Sequence, residues 1–109
     1  MLDILLARKI LNHFKELQLE GNRKSIPSIE AYFHYCLDEY SKDIHGLACL
    51  CYALIEMRKI SIAIKSKGQS KLFANLRLEL SDYVFQCDEK GIGTNFTNAE
   101  QAAYQRDIE

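Results

Sequence analysis

From Gly46 to Ile55 the chain carries no charged side chain at all. Leu47, Leu50, Leu54, Met57 and Ile64 form one seam at helical spacing. Ala48, Cys49, Cys51, Ala53 and Ile55 fill the azimuths between them. A helix built this way has almost no polar face in its first half. It belongs in the middle of a bundle or at an interface between subunits. Glu56, Arg58 and Lys59 follow at once, so the apolar stretch Ile44 to Ile64 reads as a buried helix and not as a membrane span.

The rest of the chain supplies partners for such a helix. Leu6, Ile10, Phe14 and Leu17 step by four and three within a first helix read from Leu2 to Glu20. Gly21 and Asn22 stop it. Ser25, Pro27 and Ser28 form a start signal, because proline presets the first-turn backbone angle and serine caps amides. A second helix then runs to about Tyr40, with Ile29, Phe33, Cys36, Leu37 and Tyr40 on its buried face. Asp43 is the expected cap of the third helix, which extends to about Lys65. In the segment Lys65 to Ser70, Gly68 is expected to end that helix and Ser70 to cap the next. The fourth helix reads from Lys71 to about Glu89, with Phe73, Leu76, Leu80, Tyr83 and Cys87 as its stripe.

The fold class is therefore all-α, an antiparallel bundle of about four helices in one domain spanning residues 1–109. At 109 residues the chain is long enough to bury a core without metal or disulfide. Residues 1–91 form the bundle, and 92–109 are expected to be a mobile C-terminal segment. Thr97 and Glu100 match a capping box for a short helix over Asn98 to Asp107. One competing reading is α+β. Ile60, Ile62 and Ile64 alternate, as do Leu76, Leu78 and Leu80, which are strand periods about a Gly68 turn. A hairpin at 59–81 is that alternative. Helix formers dominate 65–80 and favour the helical reading.

The net charge of −1 implies no polyanionic partner in bulk, but the charge is polarised. Arg58, Lys59, Lys65, Lys67, Lys71 and Arg77 are six bases in a stretch without an acid. From Leu78 onward seven acids face two bases. The basic run marks a candidate surface for an acidic protein or for nucleic-acid phosphate. Its bland counterpart is a solvated helix–turn–helix corner. Tyr32 and Tyr35 are the other candidate contacts, because the core stripe of their helix is complete without them and tyrosine is favoured at interfaces.

Chemistry has thin support. His45 opens the third helix, as in phosphotransfer bundles, yet the Lys and Gly that follow the histidine there are Ala48 and Cys49 here. Arg8 and His13 fit the Arg-x4-His spacing of helical HEPN ribonucleases, though Lys9 replaces the polar residue that usually follows. His34, Cys36, His45 and Cys49 lack paired metal-ligand spacing. The acids Asp88 and Glu89 beside Cys87 raise a thiol's pKa rather than activate it. No cofactor and no enzymatic activity are expected.

Four scattered core-type cysteines and the lack of a leader after Met1 predict a cytoplasmic protein. The layout of four helices and a tail is similar to that of pediocin-type bacteriocin immunity proteins, a likeness of architecture alone. The expected function is a small protein-binding module, an inhibitor, immunity or antitoxin protein, or chaperone-type partner. A nucleic-acid-binding regulator using the corner at 58–77 is the alternative. Self-association into a homodimer is a further expectation, since the apolar start of the third helix needs cover.

Overall fold

The third helix organises the molecule. In the computed structural model, which describes residues 3–19, 25–41 and 43–86, four helices follow one another. They are α1 (Ile4–Leu19), α2 (Ser25–Glu39), α3 (Ile44–Ala63) and α4 (Lys67–Gln86). The chain itself covers α3 on every side through its first half: Gly46 to Cys51, Ala53 to Ile55 and Met57 are all buried. The all-round apolar pattern is thus satisfied within one chain, and it no longer calls for a second copy.

α3 packs chiefly on α1 and α4, while α2 bridges α1 and α4 from the opposite corner. Polar contacts fix the directions. Near the N-terminal ends of α1 and α3, the Cys49 thiol donates to the Asp3 carbonyl at 3.4 Å. Near their C-terminal ends, Gln18 Nε2 donates to Gln69 Oε1 at 2.7 Å and lies 3.5 Å from Ser61 Oγ. α1 and α3 therefore run parallel. Tyr83 near the end of α4 donates to Ser41 Oγ just past α2 at 3.0 Å, so α2 and α4 also run parallel. Helices adjacent in sequence are antiparallel, as expected.

The core draws one stripe from each helix. Ile10, Phe14, Ile29, Phe33, Leu47, Leu50, Leu54, Met57, Phe73 and Leu80 are sealed from solvent. Phe14 meets Phe73 edge-on at a centroid distance of 5.8 Å. Burying each such side chain contributes roughly 1.5–3 kcal/mol before entropy is charged against it. Val84 and Ser61 join this core beyond the expected stripes. The Ser61 hydroxyl donates to the Met57 carbonyl at 2.8 Å, which satisfies it inside the helix.

Helix ends show where local chemistry acts. Asp43 caps α3 as expected, its Oδ1 accepting from the amides of His45 (3.1 Å) and Gly46 (3.3 Å). Asp3 does the same for α1 through the Leu6 amide. Gly46 is there for close approach, since a Cβ at that position would overlap the Tyr40 ring and stand 2.7 Å from Tyr40 Cβ.

The α3–α4 corner departs from expectation. Gly68 does not end α3; it lies in the first turn of α4. Lys65 takes the left-handed conformation instead, with φ 60°. Its amide donates to the Ile62 carbonyl, and the Ser66 amide donates to the Ser61 carbonyl, which together close a Schellman motif. Ser66 rather than Ser70 caps α4, with Oγ accepting from the Gln69 amide at 3.4 Å. α4 thus begins at Lys67, not Lys71. The alternative hairpin at 59–81 is excluded, because this range is helical on both sides of a short turn. The alternating isoleucines share no buried face: Ile60 is half-buried, whereas Ile62 and Ile64 are exposed. Ile64 accordingly leaves the core seam that its spacing suggested.

Residues 92–109, with the expected short helix at 98–107, lie outside the described residues, as does Cys87. No described helix is long and apolar enough to cross a membrane.

Candidate functional site

The second half of α3 reaches beyond the cover that seals the first half. There Lys59 follows the buried Ile55, and Ile62 follows Arg58, each at four-residue spacing, so Arg58, Lys59 and Ile62 face outward together. Phe73 and Arg77 form the matching ridge of α4. These residues and Leu54 line an open groove of about 170 Å³ between the two helices.

The groove has an apolar floor and a cationic rim. Leu54 and Phe73 are fully buried beneath it, and Ile55 is nearly so. Arg58 and Lys59 stand exposed on the α3 wall, and Arg77 is half-buried on the α4 wall. Ile62 is 57 % exposed at the edge. Among the described residues, no acid lines the groove. Three basic side chains thus gather around one groove.

The six bases of the expected basic corner divide into two groups. Arg58, Lys59 and Arg77 converge on the groove. Lys65 sits in the turn, and Lys67 and Lys71 lie on the first turns of α4; all three are exposed and outside the groove lining. The apolar members Leu54, Ile55, Ile62 and Phe73 were missing from the expected site. The usable signal was Ile62, an apolar residue four positions after Arg58 on the solvated half of a helix.

Tyr32 and Tyr35 lie elsewhere, on the α1–α2 side. Tyr32 is half-buried, stacked on His13 at 4.0 Å and meeting Phe14 edge-on at 4.9 Å. Burial, with the Cys36 thiol as hydrogen-bond neighbour, holds its phenol above the usual range. Tyr35 stacks more loosely on Tyr32 at 6.1 Å and is 58 % exposed. Tyr32 therefore packs the edge of the core, and Tyr35 is the outward member of the pair.

The remaining sequence signals do not assemble into chemistry. Arg8 and His13 are five positions apart on α1, which sets them about 140° apart around the helix. His45 is exposed at the start of α3, but its neighbour is the capping carboxylate of Asp43, which disfavours a phosphoryl group there. His34 faces Glu79 across α2 and α4, with Nε2 and Oε2 3.1 Å apart. Cys36, Cys49 and Cys51 are buried and carry no disulfide. Desolvation pushes the Cys49 thiol up to about 11 and raises Cys36 as well, so both are protonated and unreactive at neutral pH. Among the described residues, no group of His, Cys, Asp and Glu is placed to hold a metal ion.

Compared with known proteins, the chain matches no family model, no curated protein and no solved structure.

Proposed function

We propose that this chain is a small protein-binding module whose docking surface is the α3–α4 groove. One observation carries the reading: Arg58, Lys59 and Arg77 border a groove whose edge carries the exposed Ile62. Interface hot spots combine an apolar contact with surrounding polar groups that exclude water. An inhibitor, immunity, antitoxin or chaperone-type partner is the kind of role this reading covers.

Nucleic acid fits the groove less well. Phe73 is fully buried and offers no ring face on which a base could stack. A phosphate backbone leaves the exposed Ile62 unused. Lys65, Lys67 and Lys71 lie outside the groove lining.

The test is site-specific photocrosslinking in the source cells. A photoreactive phenylalanine at position 62 is expected to give discrete protein adducts that Arg58→Glu abolishes. The same probe at exposed Glu16 on α1 serves as control. Adducts to nucleic acid, or equal adducts at both positions, would overturn the reading.

A further inference from the structure

We infer that residues 100–109 of the chain dock on the outer edge of α3 at Arg58, Ile62 and Lys65, and shield the proposed docking surface until a partner displaces them. The inference rests on the docking reading above and names what regulates that surface. Pattern carries it. Along α3 and into its closing turn, exposed residues at steps of four and three run cation, apolar, cation: Arg58, Ile62 and Lys65. In the C-terminal segment Glu100, Tyr104 and Asp107 run acid, aromatic, acid at the same steps. Such steps share one side of a helix, and a short helix is what the capping box of Thr97 and Glu100 predicts there. The outer charges of each triplet are then about 10 Å apart, so two ion pairs and a contact between Tyr104 and Ile62 can form together.

Charge balance points the same way. Among the described residues no acid is paired with Arg58 or Lys65. Residues 87–109 hold five acids against two bases. Reach permits the contact. The α3–α4 corner and Gln86 lie at opposite ends of the 20-residue α4, about 30 Å apart. The thirteen residues 87–99 can span roughly 43 Å. A tether of that kind holds the segment at an effective concentration of about a millimolar, so a contact too weak to retain a separate peptide can form within one chain.

Photocrosslinking of the purified full chain tests this. A photoreactive phenylalanine at the exposed position 62 is irradiated in a mixture of isotope-labelled and unlabelled chains, and adducts are mapped by mass spectrometry. Adducts are expected to join position 62 to residues 100–109 of the same chain. Glu100→Lys with Asp107→Lys should lower their yield about fivefold, as should about 0.5 M salt. Adding Arg58→Glu and Lys65→Glu to that variant should restore much of the yield, and circular dichroism checks that each variant is folded. In the source cells, reversal of the two acids should raise the adducts to a partner at position 62. No adduct to residues 100–109, adducts chiefly between labelled and unlabelled chains, or a yield indifferent to reversal of the two acids would overturn the contact. Partner adducts in cells would then still stand for the docking reading. Partner adducts that do not rise on reversal overturn the shielding, and their complete absence beside an intact contact removes the docking reading and the shielding with it.

Discussion

The two halves of α3 make opposite use of the same helical geometry. From Gly46 to Met57 nearly every azimuth is filled by an apolar side chain and sealed. From Arg58 to Ala63 the helix keeps only Ser61 fully buried and turns the rest partly or wholly outward. The lesson is that a central helix need not be central along its whole length. Its sealed half fixes position, and its open half is then free to carry a surface whose composition stability does not dictate.

Truncation breaks that comparison most directly. Leu50→Ala in the sealed half is expected to cost about 2–5 kcal/mol, and Ile62→Ala in the open half to stay within about 0.5 kcal/mol. Urea unfolding of both variants measures the difference, and comparable losses would dissolve the distinction. Gly46→Ala sharpens it from the opposite direction, by overfilling. The added methyl meets the Tyr40 ring, so a loss of about 1–3 kcal/mol is expected. A Tyr40→Ala background should recover part of it if that contact is the cause.

pH probes the sealed half without changing its shape. The folded chain keeps the Cys49 proton up to about pH 11, because burial penalises the thiolate, whereas an unfolded thiol releases it near 9. The stability tied to the neutral thiol is complete below pH 9 and is lost as pH rises towards 11. Melting temperature should fall across that window, and less steeply in Cys49→Ala. Some slope persists, since burial raises Cys36, Tyr32 and Tyr40 in the same direction. Equal slopes would show that Cys49 is not sealed.

The smallest effect belongs to the end of the open half. A left-handed residue other than glycine costs roughly 1–2 kcal/mol, and glycine returns roughly 0.5–1 kcal/mol of that as unfolded-chain entropy. Lys65→Gly should therefore stabilise by about 0.5 kcal/mol, read as a raised midpoint in denaturant. A lowered midpoint would argue against the left-handed turn.

The sequence was most legible where side chains repeat against a core. The stripes through Phe14, Phe33, Leu50 and Phe73 were readable because burial imposes a period. The Asp43 cap was readable because a short carboxylate at that place has one efficient use. The left-handed end of α3 at Lys65 was not, because its geometry comes from backbone hydrogen bonds that any residue but proline supplies. Gly68 drew attention as a stop signal yet sits in open space within a helix, with only Ile26 Cδ1 near, at 4.0 Å. Half of the groove was legible as charge. Its floor was hidden, since Leu54 and Phe73 look like ordinary core residues until two helices are set side by side.

The turn at Lys65 and Ser66 also has a meaning in time. It brings α3 and α4 together across very few residues, so their pairing carries a small loop-closure cost, while α1 must close a much longer loop to reach α3. Pulse-labelled hydrogen exchange during refolding should find the facing amides of α3 and α4 protected before those of α1. The proposed docking surface is then among the first parts of the chain to take shape, ahead of the bundle that will hold it.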